Sequence, residues 1–205
     1  MLCLAEYPTR FYGGLRNTSG LGFAANDYRC WYMASVEVPK GLAEAIRRRG
    51  FDLESFVLEA IERMLNLDPS EEIEARLEIA KHMLKRAREE IEKGDAIQAS
   101  EKLYKAVEEC IKILTCIEGL EECRRAREEG GWWTKLLSRA ARKLALRLGE
   151  KIVLEAWSQG YDLHVHGFHE HSLGVDEVKE SLPTVEQLIK FTEEKVKHYL
   201  EKERS

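Results

Sequence analysis

The chain has 205 residues, 34% of them charged, and a formal net charge of -5 at neutral pH. That length suits one large domain or one domain with a small appendage, and the net acidity excludes a global basic field of the kind that advertises nucleic-acid binding. No apolar run reaches the ~18 residues of a spanning helix and the opening MLCLAEYPTRFYGGLRN carries no signal-peptide apolar region, so a soluble, cytoplasmic protein without membrane partners is expected.

Amides are scarce: Asn17, Asn26, Asn66, Gln98, Gln159 and Gln187 make up the full set. With abundant Glu, Lys and Arg, that bias fits selection at high temperature. The cysteines (Cys3, Cys30, Cys110, Cys116 and Cys123) include no C-x-x-C pair. Neither a zinc ribbon nor a dithiol redox motif is supported, and no cofactor is expected.

In chain order, residues 1–32 read as an irregular arm or extension, rich in aromatics and glycine. Their GGLRNTSGLG lacks the lysine of a phosphate loop. Residues 33–67 read as a short strand (ASVEVPK) and two helices separated by Gly50. This layout resembles a ribbon-helix-helix element through which two chains could pair as a homodimer. Glu37 on the outward strand face, and Asp52 and Glu54 at the second helix start, would repel phosphate, so duplex DNA is not an expected partner.

Residues 68–205 read as a helical bundle. Asp68, Pro69 and Glu71 form a helix start with a capping box, and Ile73, Leu77, Ala80, Leu84, Ala87 and Ile91 form one apolar seam. Gly94 ends that helix and Asp95 caps the next, where Ala99, Leu103, Ala106, Cys110, Ile113 and Ile117 repeat the seam. So short a link predicts an antiparallel hairpin, with Cys110 as a core residue. Gly130-Gly131 breaks the pattern, and a helix follows from about Trp133 to Leu148. A further helix should run to near Gly167, then a short helix or turn over GVDEVKES, then a last helix capped by Thr184. The fold class is all-α.

KGDAIQASEKLYKAVEECIKIL, followed much later by LHVHGFHE, resembles the archaeal PaREP family, over roughly residues 34–200. The resemblance implies an HEPN-like (higher eukaryotes and prokaryotes nucleotide-binding) up-and-down helical bundle. That wider group includes partners of nucleotidyltransferases and metal-independent ribonucleases, so a nucleotidyltransferase-type partner is one implied possibility. The ribonucleases carry Arg, four to six residues, then His. The one such spacing here is Arg76 to His82, which an α-helix would leave about 120° apart. Arg76 in a surface ion pair and His82 as a solvated helix residue is the plainer reading.

Four histidines crowd residues 164–171. The family pattern supplies Leu163, His164, Gly167, Phe168, His169 and Glu170, with His166 and His171 as local additions. Three readings stand. On an α-helix, Asp162, His166, His169 and Glu170 share roughly one face, and imidazole with carboxylate suits a metal. Alternatively, His164 and His169 could do acid–base work with Glu170 orienting them, as in a ribonuclease or other nucleotide-acting enzyme. The third reading is structural: a helix end in which His164 bonds a backbone carbonyl and Phe168 anchors the turn.

One segment is basic. Between residues 124 and 151, nine Lys and Arg stand against three Glu, a local excess of six positive charges. Arg124, Arg125, Arg127, Lys135, Arg139, Arg142, Lys143 and Arg147 are the candidate anion-binding residues, with Trp132 or Trp133 available to stack on a base. Noncatalytic nucleotide or RNA binding is the leading expectation. An antitoxin-like or other protein-interaction role is a further alternative.

Overall fold

The computed structural model describes residues 37–49, 53–65 and 67–204. Every regular element among them is helical: α1 (Lys40–Arg47), α2 (Leu53–Leu65), α3 (Pro69–Lys93), α4 (Ala96–Ile117), α5 (Glu121–Glu128), α6 (Thr134–Leu148), α7 (Lys151–Asp162), a π-helical segment (Leu163–His169), α8 (Val175–Glu180) and α9 (Leu182–Glu203). Pro39–Ser205 forms one unit and Met1–Val38 another, of which residues 37 and 38 are described. Residues 37–39, the described end of the expected strand, carry no strand structure, and Pro39 is instead the residue before α1. The rest of that strand and the expected N-terminal arm lie outside the described residues.

The α3–α4 hairpin follows the sequence. Asp68 accepts from the amides of Ser70 and Glu71, while Glu71 accepts from the Asp68 amide, which is the expected capping box. Gly94 closes α3 at φ 80°, a left-handed conformation that costs glycine nothing. Asp95 then accepts from the Gln98 amide at 2.9 Å. The seam residues Ile73, Leu77, Ala80, Leu84 and Ala87 meet Ala99, Leu103, Ala106, Cys110 and Ile113, all buried. No helix among the described residues is long and apolar enough to cross a membrane.

Helix α4 is the axis of the bundle. It packs against α3, α9, α7, the π segment and α6, with α5 and α8 at its ends. A helix covered on all sides must bury whatever it carries, and α4 carries charge. Lys112 lies 2.8 Å from Glu108 and 2.6 Å from Glu109, and Arg76 reaches Glu109 at 2.8 Å and Glu72 at 3.1 Å. Burial alone would raise the Glu108 carboxyl, but Lys105 and Lys112 pull it down to about 2. Glu109 is likewise held below the usual range, by Lys112 and Arg76 against the opposing effect of burial. Arg76 is thus a buried member of this network rather than the surface residue its sequence suggests.

One further expectation changes, and one feature is new. Helix α9 starts at Leu182 with Pro183 in its first turn, where the missing amide costs nothing. Thr184 therefore lies inside the helix and does not cap it. Cys116, near the end of α4, and Cys123, in α5, come together across the Gly119 turn as a disulfide with a Cα–Cα distance of 5.1 Å.

Candidate functional site

The histidine segment takes a conformation that the sequence pattern does not announce. After Asp162 the backbone widens into a π-helix through His169, and the Glu170 amide bonds the carbonyl of Val165, five residues back. In an α-helix, residues five apart point about 140° away from each other. The i to i+5 closure of a π turn stacks them instead. His164 and His169 thereby meet, with their Nε2 atoms 3.1 Å apart. The α-helical face imagined for Asp162, His166, His169 and Glu170 does not form. His166 has its Nδ1 2.7 Å from Glu170 and its Nε2 3.6 Å from Asp162, while His169 turns to His164. Its hydrogen bond to Glu170 raises the His166 pKa. Among the described residues, no three metal-capable side chains converge.

The carboxylate that orients His164 comes from 63 residues upstream. His164 Nδ1 is 2.9 Å from an oxygen of Glu101 on α4. A side-chain carboxylate thus takes the place of the backbone carbonyl expected for His164, and Glu101 takes the place considered for Glu170. The Glu101 side chain is 8% exposed and that of His164 is 22% exposed, so the chain of contacts runs from the core to the surface residue His169. Tyr104 stacks on the His164 ring at 4.1 Å, and Phe168 lies parallel at 6.1 Å. Burial, with Glu108 and Glu101 nearby, pushes the Tyr104 hydroxyl well above its ordinary range, against the opposing effect of a hydrogen bond with Thr134. Tyr104 therefore stays neutral.

Two glycines make the approach possible. Gly160 and Gly167 face α4 seven residues apart. A Cβ at Gly160 would meet three Val107 atoms at 3.2 to 3.3 Å, and one at Gly167 would lie 2.2 Å from Ser100 Oγ. Any larger residue at 167 would lift the segment off Ser100, and with it His164 off the adjoining Glu101. The neutral tautomers follow from the hydrogen bonds. Glu101 accepts from the His164 Nδ1–H, which leaves a lone pair on His164 Nε2, and His169 then donates from its own Nε2.

The basic segment is less positive than its sequence count. Arg124 pairs with Glu121 and Glu128, Arg125 with Glu129, Arg127 with Glu72, Lys143 with Glu122 and Arg147 with Glu118. Glu72, Glu118, Glu121 and Glu122 lie outside the counted window, and the fold brings them to it. Among the described residues, Lys135, Arg139 and Arg142 have no carboxylate within ion-pair distance. Arg139 and Arg142, three residues apart on the exposed face of α6, line an open groove of about 330 Å³ with Arg125, Lys143, Glu121 and Glu122. Glu122 takes Lys143 on one oxygen at 2.6 Å, and its other oxygen is buried with no hydrogen-bond partner. Trp132 packs on the core, whereas Trp133 at the start of α6 is 61% exposed. A second cavity, of about 120 Å³ and lined by Arg76, Lys112 and Arg127, has each of these cations engaged by carboxylates.

The molecule is thus an all-α bundle in which a π segment sets a histidine pair on a central helix, with a basic groove between two other helices. It belongs to the archaeal PaREP1/PaREP8 family, whose model matches residues 75–189, a span that includes both features. A crystal structure of a protein from Sulfolobus solfataricus is 35% identical, with a TM-score of 0.53, over 58% of this chain and 96% of that one. A solution structure of the same structural-genomics target is 36% identical, with a TM-score of 0.52, over 58% of this chain and 92% of that one. No curated protein matches the chain.

Proposed function

We propose that the protein is a noncatalytic nucleotide- or RNA-binding bundle of the HEPN-like kind, taking phosphate in the groove between α5 and α6. One observation carries the reading: Arg139 and Arg142 line that groove without carboxylate partners, while five neighbouring cations are neutralised. Two guanidiniums on one face present fixed forks of donors that match phosphate oxygens. A groove of about 330 Å³ is in the range of small-ligand sites. Trp133 stands six residues before Arg139, about 9 Å along the helix, and its exposed indole offers a surface on which a base can stack.

The test is fluorescence anisotropy with end-labelled, mixed-sequence single-stranded RNA. Arg139→Glu with Arg142→Glu should lower affinity at least about 10-fold at low salt, since it removes two phosphate contacts and adds repulsion. Both side chains are exposed, so helical content should not change. Equal affinity in the double variant would remove the groove as the binding site.

A further inference from the structure

We propose that His164 and His169 form a binding site for a borderline divalent cation such as Zn²⁺ or Cu²⁺, distinct from the α5–α6 groove. Their two Nε2 atoms lie 3.1 Å apart, with the rings edge to face and their centroids 4.5 Å apart. Two imidazoles on one metal at about 2.05 Å would place their nitrogens about 2.9 Å apart at a right angle and about 3.3 Å apart at the tetrahedral angle. The observed separation lies between these, so the two nitrogens already stand at the spacing that one shared cation requires.

Three further features fit a metal better than a bare histidine pair. Glu101 holds the Nδ1 of His164 at 2.9 Å, and a metal-bound imidazole characteristically donates its other N–H to such a carboxylate, which fixes the ring and raises its basicity. Tyr104 and Phe168 flank the His164 ring, so one ligand is held in place before the cation arrives. The pair lies at the surface, with His169 exposed, so the remaining coordination positions stay open to water or to an anionic group of a ligand. Binding needs no net loss of a proton from the neutral pair. The proton that His169 places between the two Nε2 atoms moves to its own Nδ1, and both lone pairs then point at the cation. With two protein ligands the site is an open one, unlike the closed four-ligand sites that hold structural zinc.

The experiment is calorimetric titration of the full chain, without any histidine tag, with Zn²⁺, together with electron paramagnetic resonance of the Cu²⁺-loaded protein. One equivalent should bind, and the copper spectrum should show coupling to two nitrogens. His169→Ala should weaken binding at least 10-fold without a folding cost, because its side chain is exposed. Glu101→Gln should weaken it about 10- to 100-fold while both imidazoles remain. His166→Ala and His171→Ala should leave it unchanged within twofold. No stoichiometric binding would mean that the pair shares only a proton, which overturns the site. Binding that survives His169→Ala and disappears with His166→Ala would be surface chelation by His166, Asp162 and Glu170, and would overturn it equally.

Discussion

Gly167→Ala is the substitution that most sharply probes how the π segment is seated. The added Cβ would fall 2.2 Å from Ser100 Oγ and 2.6 Å from Ser100 Cβ, about 1 Å short of the 3.4 Å at which ordinary contact begins. Ser100 cannot retreat. It is fully buried on the central helix, and its hydroxyl donates to the Ala96 carbonyl at 2.7 Å. The segment itself must move outward, taking His164 from Glu101. Overpacking of this kind costs about 1–3 kcal/mol, and for a chain of this size each kcal/mol moves the midpoint by roughly 2–4 °C. A drop of about 2–12 °C is expected by calorimetry, with displaced imidazole resonances of His164 and His169 in the NMR spectrum. Gly160→Ala is the control. Its Cβ sits 3.2 to 3.3 Å from Val107, an overlap of a few tenths of an ångström, and the roughly 1 kcal/mol gained in helix propensity offsets it. Ser100→Gly removes both clashing atoms, so the double variant Ser100→Gly/Gly167→Ala should be more stable than the sum of the single changes by at least about 1 kcal/mol. A Gly167→Ala protein that melts with the wild type, or a double variant without coupling, would refute the packing argument.

Three other predictions concern the bundle around that site. Glu108 has a folded pKa of about 2 against an ordinary 4.5, so its stabilisation is complete above about pH 4.5 and lost as pH falls towards 2; urea midpoints should hold from pH 7 to 5, then drop steeply, and Glu108→Gln should flatten that drop. Glu109→Ala leaves Arg76 and Lys112 each one carboxylate short in the core. It should cost about 3–5 kcal/mol in equilibrium unfolding, and a loss under 1 kcal/mol would show that the network relaxes or hydrates. The Cys116–Cys123 bond closes a loop with a sequence separation of 7, so its reduction should cost about 2.5 kcal/mol by loop entropy, seen as a lower midpoint in reductant and abolished in Cys116→Ala.

How much of this the sequence discloses depends on how local the determining interaction is. The α3–α4 hairpin was legible because its causes lie within a few residues of one another: the Asp68 and Asp95 caps, the left-handed Gly94 and the alternating seam. Gly149 closes α6 in the same way, at φ 69°. Periodicity finds one apolar stripe, however, and assigns everything else to solvent. It cannot show that α4 is covered on all sides, so Glu101, Glu108, Glu109 and Lys112 read as surface charge. Thr184 misleads as a cap because Pro183 tolerates a helix that has already begun at Leu182.

The histidine cluster fails for a related reason. An α-helical projection groups Asp162, His166, His169 and Glu170, whereas the π register groups His164 with His169. The partner Glu101 then lies 63 residues away in sequence, beyond any local pattern. The spacing of Gly160 and Gly167 was the available signal, since two small residues seven apart on a helix face mark a close approach to a neighbour. Likewise, Cys116 and Cys123 flank the turn at Gly119, a spacing that brings two helix ends together although it forms no C-x-x-C motif. In the basic segment, Glu72, Glu118, Glu121 and Glu122 pair with four of the nine cations from outside the counted window, which a local charge count does not see.

The salt dependence of RNA affinity tests the phosphate groove most directly. For single strands, log K falls with log salt by about 0.7 per phosphate neutralised. Arg139 and Arg142, with Arg125 and Lys143 close by in the groove, would give a slope of about -1.4 to -2.8 for two to four contacts. The account predicts a slope in that range for the wild type and one shallower by about 1.4 for Arg139→Glu/Arg142→Glu, which loses two contacts. Identical slopes in the two proteins, or a wild type whose affinity does not change with salt, would contradict it.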